Sequence, residues 1–240
     1  MIQNSLRQTF SLYSALAKNR ALTVGTLHDA VGIRILKKMG SGSAMSIDIL
    51  EARLDCLLHS RIPLPINWPL PVIATARHPG EGGAGNLSKS IREKLLMESI
   101  PWASGIDVEL RSTRGLARVI ATAHQYGRTV IVSHHDFTST PSLSMLKKLA
   151  SRASGEGADL FKVATFLRDQ RDLRRLIDLQ MESSAIQVSA MGMGTAGRFS
   201  RLVLAGFGAP LIYGWLGNPQ VSGQWPALEL PRLLLEVLPE

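Results

Sequence analysis

The chain has 240 residues, 45% hydrophobic and 19% charged, enough apolar surface for one large packed domain and too much for global disorder. The formal charge of +8 admits an anionic partner, but aromatics are only 5% and no basic run interleaves with them, so a small anionic molecule is expected rather than nucleic acid. The single cysteine, Cys56, excludes an internal disulfide and suits a reducing, cytoplasmic setting, and no apolar run approaches the ~18 residues of a membrane span.

Residues 1–22 read as an N-terminal extension or leading helix, basic and free of acids, with Phe10, Tyr13 and Leu16 on one face. Residues 23–240 read as one domain, with no linker or shift in composition to divide them. Within it, β-type runs occur at Thr23–Leu27, Ile49–Asp55, Pro71–Arg77, Ile106–Leu110, Thr129–His135, Asp159–Phe166, Ala185–Met191 and Pro210–Leu216. Helical spacing separates them. Leu116, Val119, Ile120 and Ala123 repeat at i, i+3, i+4, i+7, and Leu173, Leu176 and Ile177 repeat likewise after Asp169. Thr140-Pro141 reads as an N-cap followed by the first helical residue. Strands alternating with helices in this number predict a single-domain (β/α)8 barrel.

Alternate residues of a strand face the same side. The polar sets Glu51/Arg53/Asp55, Asp107/Glu109 and Ser133/His135 therefore each converge on one face near a strand end. Burying an ionised group without a partner costs several kcal/mol, and a barrel accommodates such groups at its C-terminal mouth, where active sites form. Lys162 lies between Phe161 and Val163. A lysine amine attacks a carbonyl only when neutral, and apolar surroundings with a nearby cation favour that form, so Lys162 is a candidate for imine formation. In His134-His135-Asp136 only one imidazole can face the barrel interior, which suits acid–base work better than metal binding, since the other histidines offer no ligand spacing. Gly192-Met193-Gly194-Thr195-Ala196-Gly197 matches a dinucleotide fingerprint, but Tyr213-Gly214-Trp215-Leu216 supplies no acid about 20 residues on.

Taken together these segments resemble the type I 3-dehydroquinate dehydratase family. Glu51-Ala52-Arg53-Leu54-Asp55 resembles its E-x-R-x-D strand, and Arg77 with Glu81-Gly82-Gly83 its arginine and E-G-G loop. Asp107-Val108-Glu109 resembles its D-x-E strand, Ser133 to Phe137 with Thr140-Pro141-Ser142 its S-x-H-D-F…T-P-S segment, and Ala158 to Ala164 its lysine strand. Met191-Gly192, Ser200-Arg201-Leu202, Phe207-Gly208 and Gly223-Gln224 fit the closing region, so the likeness runs in order from about residue 23 to 225.

The resemblance implies a cofactor-free and metal-free lyase that converts 3-dehydroquinate to 3-dehydroshikimate. It makes Lys162 the imine-forming residue, His135 the proton shuttle and Glu81 the group that orients His135. Arg201, assisted by Gln224, would hold the substrate carboxylate. Glu51, Arg53 and Arg77 would bind ring hydroxyls, with Asp107 and Glu109 as partners of these cations. Met191 and Met193 would wall the ring, and Tyr213 stands where the family usually has phenylalanine. The closing loop departs from the family's S-A-P-G-Q: it reads Gln220-Val221-Ser222-Gly223-Gln224, with Gln220 expected as a substrate-binding residue in place of the family's serine. Members of this family often pair, which allows a homodimer. Two other readings stand beside this one: a class I aldolase using the glycine-rich segment for phosphate, and a non-catalytic paralogue with an altered lid.

Overall fold

A computed structural model of the chain describes residues 20–39, 47–65 and 67–238. The expected leading helix, with Phe10, Tyr13 and Leu16, lies outside the described residues. The strands are β1 (Leu22–Leu27), β2 (Ile49–Arg53), β3 (Val72–Thr75), β4 (Gly105–Glu109), β5 (Thr129–Asp136), β6 (Leu160–Phe166), β7 (Gln187–Met193) and β8 (Leu211–Leu216). Each is followed by a helix: α1 (Ala30–Met39), α2 (Leu54–His59), α3 (Lys89–Ser99), α4 (Ala117–Gln125), α5 (Leu143–Gly155), α6 (Gln170–Glu182), α7 (Gly197–Gly206) and α8 (Leu230–Val237).

The strands pair in parallel in the order β7-β6-β5-β4-β3-β2-β1-β8. This is the predicted (β/α)8 arrangement, closed except for a backbone ladder between β7 and β8. Ser189 bridges that seam: its Oγ donates to the Leu211 carbonyl at 2.6 Å and accepts from the Leu211 amide at 3.3 Å.

Alternation along the strands builds two cores. Leu50, Val72, Ile106, Val130, Phe161 and Val188 face the helix layer. Leu22, Ile49, Ile73, Ile131, Leu160 and Leu211 plug the barrel interior. Two residues further along each inward-facing row the side chains become Val24, Glu51, Thr75, Ser133, Lys162 and Tyr213, so hydrophobic burial seals the N-terminal end and leaves the C-terminal end polar.

The helices pack as their spacing predicts. Leu116, Val119, Ile120 and Ala123 are buried, Leu176 is buried, and Leu173 and Ile177 pack at the edge of the same core. Asp169 caps α6 by accepting from the amides of Arg171 and Asp172 at 2.8 and 3.2 Å.

Three local expectations are corrected. Asp55 is not a strand residue: β2 stops at Arg53 and α2 begins at once. There the Asp55 carboxylate accepts from the amides of Arg77 and Ala84 at 3.2 and 2.9 Å, bonds unavailable from a strand face. Thr140 does not cap α5. Its hydroxyl is committed to Thr165 at 2.8 Å and to the Phe166 carbonyl at 3.0 Å, and Ser142 takes over as the cap, accepting from the Met145 amide at 3.3 Å. β7 lies two residues later than expected, which makes Met193 a strand residue. Among the described residues no helix is long and apolar enough to cross a membrane.

Candidate active site

A cavity of about 300 Å³ opens at the C-terminal ends of the strands. Glu51, Arg53, Arg77, Glu81, His135, Lys162, Met191, Met193, Arg201, Tyr213, Gln220 and Gln224 all line it, together with Thr26, Gly82, Phe137, Ala164 and Val221. Asp107 and Glu109 lie behind this wall, fully buried.

Lys162 reaches the cavity from the middle of β6 and is 3% exposed. Its Nζ donates to Glu51 Oε1 at 3.1 Å and to Asp107 Oδ2 at 3.0 Å, and lies 3.8 Å from the centre of the Tyr213 ring. The apolar neighbours read from the sequence, Phe161 and Val163, face the helix layer instead, so the nitrogen meets two carboxylates and one aromatic face rather than an apolar sleeve. Glu51 also accepts from the hydroxyls of Thr26 and Thr75 at 2.8 and 3.0 Å. Burial raises the pKa of Glu51, and Lys162 with Arg77 and Arg53 more than reverses that, leaving it below the ordinary value.

Arg77 ties this group to the next layer. Its two terminal nitrogens donate to the two Asp107 oxygens at 2.9 Å each, and Nη1 also meets Glu109 at 3.2 Å and Ser133 at 2.6 Å. Burial disfavours that charge, but Asp107 and Glu109 outweigh it and hold the guanidinium well above its ordinary value. Asp107 is in turn held far below the carboxylate range, because Arg77 and Lys162 overcome its own burial. Arg92, from α3, closes the network through Glu109, Ser112 and the Ala76 carbonyl.

His135 ends the inward row of β5, while His134 pairs with Val163 in the register and does not line the cavity. The His135 Nδ1 lies 2.9 Å from Glu81 Oε2, which also accepts from the His135 amide at 3.0 Å. Burial first, then Arg77 and Lys162, keeps the imidazole well below its ordinary value, so it is neutral near neutrality. Burial pushes the Glu81 carboxyl up to about 7 against the pull of Arg77. Once ionised, Glu81 can only accept, which assigns the imidazole proton to Nδ1 and leaves Nε2 as a base. Glu81 is carried into place by a short 3-10 turn, Pro79–Glu81, that ends on Gly82 at φ +83°. A side chain at the next residue, Gly83, would meet the Arg77 carbonyl at 2.2 Å.

On the opposite wall the polar groups are unpaired. Arg201, from α7, is 2% exposed; its Nη1 donates to the Gly192 carbonyl at 3.1 Å, and its Nε has no hydrogen-bond partner among the described residues. Among the described residues no acid pairs with it, and burial alone brings its pKa down to about 10. The Tyr213 hydroxyl is likewise buried without a partner. Met191 and Met193 supply the apolar surface between them. The glycine run of this wall has a packing role: a Cβ at Gly197 would lie 2.8 Å from Gly223 Cα, so the loop after β8 sits directly on the start of α7.

Several contributing residues were not singled out from the sequence as site residues: Asp55, Thr26, Thr75, Arg92 and Phe137. Asp55 grips Arg53 in a two-pronged pair, Nε to Oδ1 at 3.0 Å and Nη2 to Oδ2 at 2.8 Å. Its acidic character beside Arg53 was visible in the sequence; Arg92 had no such signal, because its partners lie 16 to 20 residues away. Among the described residues no cluster of three or more His, Cys, Asp or Glu could hold a metal ion.

The family model for Type I 3-dehydroquinase matches residues 33–237. The chain belongs to this family. It is therefore a hydro-lyase of the type I class. The 3-dehydroquinate dehydratase of Methanothermobacter thermautotrophicus is 33% identical over 214 residues, spanning 86% of this chain and 92% of that protein. The catabolic 3-dehydroquinate dehydratase of Acinetobacter baylyi is 29% identical over 202 residues, spanning 80% and 74%. The crystal structure of type I 3-dehydroquinate dehydratase from Clostridium difficile, with covalent modified comenic acid, superposes with a TM-score of 0.77 at 25% identity, covering 91% of this chain and 92% of that one. The Aquifex aeolicus enzyme gives 0.73 at 27% identity, covering 90% and 98%.

Proposed function

We propose that this cavity removes water from 3-dehydroquinate to give 3-dehydroshikimate through an imine on Lys162. The observation that carries the reading is the pairing, in one small cavity, of a buried lysine and a buried arginine that has no acid to neutralise it. A buried guanidinium of this kind is costly unless a ligand supplies the anion. A carboxylate on the substrate is the planar, two-pronged partner that fits it. Gln224 lines the same cavity.

With the carboxylate anchored at Arg201, the ring lies against Met191 and Met193 and its ketone comes to Lys162. His135 Nε2 takes a proton from the Lys162 ammonium, the free amine adds to the carbonyl carbon, and the resulting carbinolamine takes that proton back and loses its hydroxyl as water to give the iminium. The iminium draws electrons from the neighbouring C–H bond, and His135 Nε2 takes that proton. The electron pair moves into an enamine and returns to expel the hydroxyl β to the original ketone, which leaves as water with a proton from His135. Water then hydrolyses the iminium, freeing the enone and restoring Lys162. One water is consumed and two are released, a net loss of one. Glu81 holds the imidazole in the required tautomer, and Glu51 and Asp107 keep the nitrogen in position before and after turnover.

The test is ultraviolet detection of the conjugated enone on addition of 3-dehydroquinate. Absorbance is expected to grow with the wild-type protein and to be abolished by Lys162→Ala in a protein that still folds by circular dichroism. No absorbance with the wild type, or appreciable turnover by Lys162→Ala, would contradict the proposal.

A further inference from the structure

We propose that Gln220 is a positioning residue that latches the loop after β8 over the cavity by capping Arg53. The inference rests on the reading above only in taking the cavity as the substrate site.

The loop between β8 and α8 is tied down at both of its ends. Asn218 Nδ2 donates to Asp29 at 2.7 Å at one end. At the other, Gly223 packs on Gly194 and Gly197, and Ala227 donates to the Trp215 carbonyl at 2.9 Å. Gln224 makes the intervening turn a unit, its Oε1 accepting from the amides of Gln220 and Val221 at 3.0 and 3.4 Å. Gln220 then extends its side chain from this unit over the end of β1, which separates β8 from β2, and its Oε1 accepts from Arg53 Nη1 at 3.1 Å.

Arg53 is itself immobile. Asp55 holds Nε and Nη2, and the Gly82 carbonyl accepts from Nη2 at 3.0 Å. The guanidinium is thus a rivet joining three segments: the start of α2, the Glu81-Gly82-Gly83 loop and, through Gln220, the loop after β8. Four of its five N–H groups are committed, so one Nη1 hydrogen remains for a ligand. Among the described residues the Gln220 Nε2 has only a weak acceptor, Cys56 Sγ at 3.7 Å. The bond to Arg53 is therefore what fixes the carboxamide, and with it the roof residue Val221. The serine expected here in the family is too short to make this span.

Because the latch forms without ligand, it shifts the loop toward the seated position before substrate arrives, which lowers KM without entering the chemical step. Gln220→Met keeps length and volume and removes the acceptor; Gln220→Glu keeps the acceptor. Hydrogen exchange of residues 217–225 in the ligand-free protein is the first readout. Gln220→Met is expected to exchange roughly tenfold faster there, the weight of one hydrogen bond to a charged donor, and Gln220→Glu to exchange no faster than wild type. In turnover, Gln220→Met is expected to raise KM for 3-dehydroquinate about tenfold with kcat within about twofold. Wild-type exchange in Gln220→Met, exchange in Gln220→Glu as fast as in Gln220→Met, or an unchanged KM in Gln220→Met overturns the inference. The exchange arm uses no substrate, so it stands or falls apart from imine chemistry at Lys162.

Discussion

The two walls of the cavity are built on opposite principles. On the β2–β6 side, Glu51, Asp107, Glu109, Arg77, Arg92 and Lys162 satisfy one another across four elements and the loop after β3, and every charge has an opposite charge at contact distance. On the β7–β8 side, Arg201 and Tyr213 are equally buried and bring polar atoms that nothing in the described residues satisfies. The first wall spends its charges on holding a lysine and an imidazole in place. The second leaves its polar groups open for something that arrives from outside. A site that must both pre-arrange its reacting groups and recognise an anion needs both kinds of wall.

This contrast can be broken most forcefully on the paired side. Glu109→Ala strands Arg92 in a buried layer, removes one of the acids bonded to Arg77, and is expected to cost about 3–5 kcal/mol in chemical denaturation. A loss under about 1 kcal/mol would mean the wall is not a mutually dependent network. On the open side the sign changes. Arg201→Met is expected to raise KM by about 10- to 100-fold, the weight of a charge-assisted contact to substrate, while stability stays level or increases because an unpaired charge leaves the interior. Marked destabilisation with normal KM would show that Arg201 is a structural group.

The pH profile sharpens the same point from the Glu81–His135 pair. Glu81 sits at about 7 and His135 well below its ordinary value, so raising pH through about 7 ionises the carboxyl while the imidazole is already neutral. Below that point Glu81 carries a proton and can donate to Nδ1 as well as accept from it, so the imidazole proton is no longer fixed on Nδ1; above it, Nε2 is the base. kcat/KM should therefore rise through about pH 7, and Glu81→Gln, which does not titrate, should lose that limb. A limb that persists in Glu81→Gln belongs to another group. The smallest effect is expected at Tyr213→Phe: removal of an unsatisfied hydroxyl should leave stability unchanged or raise it by up to about 1 kcal/mol. A loss of stability would show that the hydroxyl is bonded in solution.

Most of the barrel was legible because its signals are local. Period-2 alternation at Val130–Ser133 and 3.6-residue spacing at Leu116–Ala123 each act within one element. Polar residues at strand ends also marked the cavity, since alternation alone dictates that Glu51, Asp107, Ser133 and Lys162 share the interior. What escaped depends on distant partners. Asp55 left the strand because two backbone amides more than 20 residues away receive its carboxylate. Thr140 does not cap because Thr165 on the neighbouring strand engages its hydroxyl. The environment of Lys162 was misjudged because adjacency in sequence, Phe161 and Val163, puts side chains on the opposite face of a strand from the nitrogen itself. Gln220 read as a substrate contact in an altered loop; its bond to Arg53, 167 positions earlier, had no local signal.

The central claim is a covalent bond between Lys162 and the substrate ketone. Its most direct measurement is borohydride reduction of the protein in the presence of 3-dehydroquinate, followed by peptide mass mapping. A reduced secondary-amine adduct is expected on the peptide containing Lys162 and on no other. An adduct elsewhere, or an unmodified and fully active protein after reduction, would contradict the account.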